Sequence, residues 1–274
     1  MSGAGRTGGL LARRGERVRM VSSYAVRLRP GRRTRRAPFA VIAHRGASAQ
    51  APESTAAAIR AAGRAHAAMV ELDVQMTQDG RLVIFHDERL ERTTDGHGRL
   101  ARTRFAELAR LDAGRWFGRR FSGQRVLLAS KALDAVPVRM GVNLELKRTP
   151  TPRRFMRRVI RLLRRVPQRR RLILSSFDPA LIRLAAPARR PTALICRRQP
   201  DWSLRQAIRL GCGSWHPFHA LVTRRRLAEA HGAGLRVYAW TVDRIDAARR
   251  LRRLGVDGAF TNDPARLAKG LRRP

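Results

Sequence analysis

Phe39-Ala40-Val41-Ile42-Ala43-His44-Arg45-Gly46, Met69-Val70-Glu71-Leu72-Asp73-Val74-Gln75 and Leu82-Val83-Ile84-Phe85-His86-Asp87 are three apolar runs that each end in, or carry, residues able to do chemistry. Side chains alternate faces along an extended strand, so Glu71 and Asp73 point one way while Val70, Leu72 and Val74 point the other. Two carboxylates are thus aimed together from a strand whose opposite face is hydrophobic. Burying like charges side by side is costly without a compensating cation. A divalent metal would supply it, and His44 and His86 would then flank whatever the metal holds.

Outward from this stretch the pattern alternates between short β-rich runs and amphipathic helices. Thr55 to Ala68 reads as a helix with Thr55 near its cap, and Thr77-Gln78-Asp79-Gly80 as the turn of a hairpin that delivers His86. Glu88 to Arg125 breaks the rhythm and reads as an insertion lying over the end of the second strand, with Trp116, Phe117 and Phe121 expected to form a small local core. Further strands are expected at Val142 to Lys147, Leu172 to Ser176, Thr192 to Cys196, Ser214 to His216, Leu235 to Thr241 and Val256 to Thr261. Helices are expected at Pro152 to Arg165, Pro179 to Leu184, Ser203 to Leu210, Thr223 to His231, Asp243 to Leu254 and Pro264 to Leu271. Eight strand-helix units predict an α/β fold, a (β/α)8 TIM-type barrel over 38–272 with a small insertion after the second strand and its chemistry at the carboxyl ends of the strands.

The third strand repeats the logic of the second. In Asn143-Leu144-Glu145-Leu146-Lys147 the polar residues share one face, so Glu145 and Lys147 face the barrel axis beside Glu71 and Asp73 if the leucines pack against helices. Glu71, Asp73 and Glu145 make an all-oxygen set suited to Mg²⁺ or Ca²⁺ rather than zinc. The competing reading is a structural ion-pair network in which Lys147 neutralises Glu145. Trp240 ends the seventh strand, where it serves either as an apolar pocket wall or as core. His66, His97 and His231 read as surface or satisfied residues, and His216 and His219 as hydrogen-bonded structural histidines.

A hydrophobic share of 43% over 274 residues supports a single large core. The net charge of +39 is almost entirely arginine, since Lys131, Lys147 and Lys269 are the only lysines, and it is spread along every predicted helix. That dispersion reads as solvated helix faces, with a field that draws in anionic substrates. A nucleic-acid binder is disfavoured, because stacked aromatics, zinc spacing and a reading helix are all missing. An anionic membrane surface remains a candidate partner. Cys196 and Cys212 do not suggest a disulfide, which fits a cytoplasmic location. Residues 1–37 read as a disordered basic leader without an export signal, and Met20 is a second candidate start. Oligomeric state leaves no signal.

From Phe39 to Leu271 the chain resembles the glycerophosphodiester phosphodiesterases. The resemblance rests on His44-Arg45, Glu71-Leu72-Asp73 and His86 in order, supported by Pro52-Glu53, Thr77 to Gly80, Asn143 to Lys147, Ser175-Ser176-Phe177, Trp240-Thr241-Val242 and Thr261 to Pro264. It implies metal-dependent hydrolysis of glycerophosphodiesters to glycerol 3-phosphate and an alcohol. Glu71, Asp73 and Glu145 would hold the metal, Arg45 and Lys147 the phosphate, with His44 as general base and His86 as general acid. The base would activate either water or the neighbouring glycerol hydroxyl. A lysophospholipase D-like enzyme at anionic membranes is the alternative. Three departures from the family pattern stand out: Ser54 in place of Asn, expected to loosen the loop that orients His44; Leu127 to Ala132, with Lys131 where an acid is common, expected to alter a pocket wall; and Asn262 before Asp263, lengthening the last loop. None is expected to touch the metal or histidine set.

Overall fold

The computed structural model describes residues 38–272, so the leader expected over 1–37 lies outside the described residues. In chain order the elements are β1 (Ala40–Ala43), α1 (Ala56–Arg64), β2 (Met69–Met76), β3 (Leu82–Ile84), α2 (Phe105–Leu108), β4 (Leu127–Leu128), α3 (Ala129–Ala135), β5 (Gly141–Leu146), α4 (Pro152–Leu163), β6 (Leu172–Ser176) and α5 (Pro179–Leu184). They continue with β7 (Thr192–Cys196), α6 (Pro200–Arg209), β8 (Ser214–Pro217), α7 (Arg224–Gly232), β9 (Arg236–Ala239), α8 (Ile245–Leu254), β10 (Gly258–Thr261) and α9 (Pro264–Arg272). Strands β1, β2 and β5 to β10 pair in parallel, and β1 closes the ring by pairing with β10 on one side and β2 on the other. The result is the (β/α)8 barrel that the alternation predicts.

Strand periodicity explains what lies inside and outside this ring. The outward residues Val70, Leu72, Val74, Leu144 and Leu146 join Ile59, Ala62, Phe155 and Val159 of the helices in one core cluster. A second cluster does the same on the far side, with Leu194, Val237, Ala239 and Ala259 against Leu204, Leu227 and Leu251. Inward residues form layers. Ile42, Met69, Tyr238 and Phe260 plug the barrel interior, and the positions two further along β1 and β2 are His44 and Glu71. The site therefore stands on an apolar floor. Gly141 makes room for that floor, since a Cβ there would lie 2.8 Å from Met69 Cγ.

Helix starts follow local chemistry. Thr55 Oγ1 accepts from Ala58 N at the start of α1, Asp178 caps α5 through Ala180 N, and proline occupies the first turn of α4, α5 and α6. Pro200 begins α6 three residues before the expected Ser203. Helix α3 was not anticipated, although Ala129, Ala132 and Leu133 are buried at helical spacing. The insertion differs in its core. Leu90, Leu100 and Leu108 pack against Val83, Phe85 and Val126, whereas Trp116, Phe117 and Phe121 meet edge to face near the surface, with Trp116 42% exposed. No helix among the described residues is long and apolar enough to cross a membrane.

Candidate active site

At the carboxyl ends of the barrel strands a cavity of about 230 Å³ is lined by His44, Arg45, Glu71, His86, Glu145 and Trp240, together with Asn143 and five further residues of β6 to β10 or the turns that follow them. Register explains the meeting of the acids: Asp73 lies opposite Glu145, and Glu71 opposite Asn143. Oxygens of Glu71, Asp73 and Glu145 all lie within 4.8 Å of one another. Lys147 Nζ is 2.8 Å from Glu145 and 3.3 Å from Asp73. Every residue that the sequence nominated is therefore at one place.

Burial, followed by the charge of Asp73, pushes Glu145 up to about 7. Glu71 is raised well above the ordinary carboxylate range by burial and then by Asp73 and Glu145. Burial works against the charge of Lys147, but Asp73 and Glu145 more than offset it and hold the ammonium protonated. Glu71 Oε1, both oxygens of Asp73 and Asn143 Oδ1 accept no hydrogen bond. Glu71 Oε1 and Asn143 Oδ1 have no partner, which for a buried acceptor costs about 1–3 kcal/mol, while the Asp73 oxygens have only ion-pair contacts, to Lys147 at 3.3 Å and Arg45 at 3.5 Å. Crowded, unsatisfied carboxylate oxygens of this kind fit a hard divalent cation.

The two histidines are supported differently. His44 Nδ1 lies 2.8 Å from Asn262 Oδ1. Asn262 donates its amide to Asp243 Oδ2 at 2.7 Å, and its Oδ1 also accepts from Ser48, so its oxygen faces His44. Nδ1 then carries the proton, which leaves Nε2 as a lone pair. Burial, followed by the Arg45 guanidinium, pulls His44 down to about 4. Asn262, expected to touch neither metal nor histidine residues, in fact fixes the His44 tautomer. β10 lies beside β1, with Ala43 opposite Thr261, so the extra loop residue falls next to His44.

His86 Nδ1 is 2.5 Å from Asp87 Oδ1, and Asp87 is drawn down to about 2 by Arg92 and then His86, against burial. Arg92 grips Asp87 through Nε and Nη2 and Glu53 through both terminal nitrogens. Glu53 in turn holds Arg45 at 3.0 Å. Arg92 and Glu53 thus join the insertion to the catalytic face, and neither was nominated as a site residue. Burial leaves His86 below its ordinary value, with Asp73 and Asp87 opposing.

Arg45 has a left-handed φ of 57°, and its N–H donates to Glu71 Oε2 at 2.8 Å. Ser54 is also left-handed, at 62°, and its N–H donates to Arg45 O at 2.9 Å. Its buried Oγ has no hydrogen-bond partner, so the backbone bond is the tie that Ser54 makes in this loop. Lys131 is exposed on α3 and is not part of the cavity lining. Trp240 is a pocket wall: its indole donates to His216 O, and its ring meets Phe177 edge to face. His216 is buried beside Ser214, while the His219 ring lies tilted against Phe218 outside the lining, its Nδ1 without the hydrogen bond expected of it.

The sequence profile of the glycerophosphoryl diester phosphodiesterase family matches residues 44–266. The chain belongs to that family. It is an enzyme, a phosphoric diester hydrolase of the glycerophosphodiester phosphodiesterase type. The glycerophosphodiester phosphodiesterase of Caldanaerobacter subterraneus is 33% identical over 239 residues, 85% of this chain and 98% of its own. A phosphodiesterase of Oleispira antarctica, solved in complex with the product sn-glycerol-3-phosphate, superposes with a TM-score of 0.81 at 31% identity, covering 85% of this chain and 96% of its own. The Agrobacterium tumefaciens glycerophosphodiester phosphodiesterase gives 0.74 at 29% identity, over 84% of this chain and 99% of its own.

Proposed function

We propose that this chain hydrolyses glycerophosphodiesters to glycerol 3-phosphate and an alcohol, with His44 as general base, His86 as general acid and a divalent cation held by Glu71, Asp73 and Glu145. The observation that carries the reading is the unlike support of two imidazoles on one cavity: a neutral amide at His44 and a carboxylate at His86. A phosphodiester resists attack because it is anionic, so the site must offset charge and move two protons. When bound, the cation supplies a Lewis acid that offsets charge on the phosphoryl oxygens. Arg45 and Lys147 orient the phosphate.

His44 Nε2 takes the proton of the attacking hydroxyl, from water or from the glycerol arm; attack by the glycerol arm gives a cyclic phosphate, which water must then open to glycerol 3-phosphate. His86 gives a proton to the alcohol oxygen as its bond to phosphorus breaks. The Asp87 carboxylate stabilises the imidazolium of His86, whereas burial keeps His44 neutral and the uncharged Asn262 amide does not offset it, so the unlike partners favour this division of labour. Mg²⁺ and Ca²⁺ both suit the oxygen set. The test is a product assay on glycerophosphocholine after chelator treatment, with each metal returned separately. Recovery of glycerol 3-phosphate release with one or both metals is expected, and full activity in chelator would overturn the metal reading.

A further inference from the structure

We infer that Arg197 makes the enzyme favour diesters whose leaving alcohol carries a further acidic group. The inference rests on the proposed function and narrows the substrate class of that same site. The cavity has two unlike halves. Its acids, Glu71 and Glu145, stand on β2 and β5, whereas the lining from β6 onward is Phe177, Ile195, Arg197, His216, Trp240 and Phe260. Burial takes His216 down to about 3, so it is neutral there. Arg197 is consequently the one charged group on that side of the lining.

Strand register aims it there. Along β7 the outward residues Leu194 and Cys196 pack in the far-side core, which turns Ile195, and Arg197 just beyond the strand, towards the cavity. Arg197 is exposed and makes no hydrogen bond or ion pair with any described residue. The acids near it in sequence are occupied: Asp201 is held by Arg225 at 2.7 Å and by Arg226 at 2.9 Å, and Asp178 caps α5. Arg45 and Lys147, by contrast, already contact carboxylates. A guanidinium fork matches a carboxylate or phosphate in shape and charge. The phosphate is taken by Arg45 and Lys147 in the proposed function and the glycerol arm is neutral, so a second anion, meeting Arg197, belongs to the alcohol.

Glycerophosphoserine and glycerophosphoethanolamine differ by one carboxylate and make a matched pair. With metal supplied, kcat/KM for the serine diester should exceed that for the ethanolamine diester by roughly 1.5- to 5-fold, the range of an exposed ion pair, and less at high salt. The ratio should fall to near one in Arg197→Gln and below one in Arg197→Glu. A wild-type ratio at or below one, or a ratio unchanged in both variants, would overturn the inference; the latter would credit the diffuse positive field instead. Hydrolysis of neither diester by the wild type would overturn the proposed function and this inference together.

Discussion

His44 and His86 face one cavity from opposite kinds of support. His44 directly follows β1 and is held by the amide of Asn262 on the neighbouring β10 loop, a neutral partner fixed by Asp243 and Ser48. His86 follows the β3 hairpin strand and is held by the carboxylate of Asp87, itself gripped by Arg92 from the insertion. An imidazole on a neutral partner stays unprotonated when buried, and one on a carboxylate accepts a proton at less cost. In the proposed mechanism the barrel supplies the base and the insertion supports the acid.

The bluntest way to break this comparison is to remove each ring. His44→Ala and His86→Ala should each lower kcat about 10²- to 10⁴-fold, with circular dichroism and melting unchanged. Near-normal turnover in either variant would end its assigned role. A sharper way is to exchange the supports. Asn262→Asp places a carboxylate beside His44 and raises its proton affinity, so the acid-side limb of kcat/KM should move to higher pH. Asp87→Asn withdraws the carboxylate from His86, and the alkaline limb should move to lower pH. An alkaline limb that moves up in Asn262→Asp, with an acid-side limb that moves down in Asp87→Asn, would exchange the base and acid assignments.

The smallest effect concerns stability. Asp87 is drawn down to about 2 in the folded protein, against ~3.9 for an unperturbed carboxyl. A depressed carboxyl pKa stabilises above the unfolded value and loses that contribution as pH falls through the folded one. Wild-type stability should therefore decline between about pH 4 and pH 2, and denaturant titrations should show a shallower decline for Asp87→Asn. The amide that supports His44 does not titrate, so Asn262→Leu should leave that slope intact.

How much of this was legible beforehand follows from how local each signal is. Strand alternation put Glu71, Asp73, Glu145 and Lys147 on inward faces without any knowledge of the ring, because period two is a property of the strand itself. The pairing of Asn262 with His44 spans 218 residues and exists only once β10 closes against β1, so nothing in the local pattern announced it. Arg92 was hidden in an insertion whose shape is set by leucines and not by its conspicuous aromatics. Arg197, just past the end of β7 and two positions beyond the inward Ile195, carries a usable signal, but the arginines around it mask that signal. Helix α3 has its stripe in Ala129, Ala132 and Leu133, only two turns long and inside the segment that the family pattern marks as a pocket wall.

The central claim is that three carboxylates share one cation, and melting of chelator-treated protein with and without added Mg²⁺ or Ca²⁺ tests it most directly. Glu71→Gln keeps an acceptor for the Arg45 N–H and removes one of three crowded charges. The variant should melt no lower than wild type in chelator, and it should lose most of the metal-induced rise that wild type shows, since ligand binding to the folded state adds stability in proportion to its affinity. A wild type that does not respond to either metal, or a Glu71→Gln protein with an undiminished rise, would contradict it.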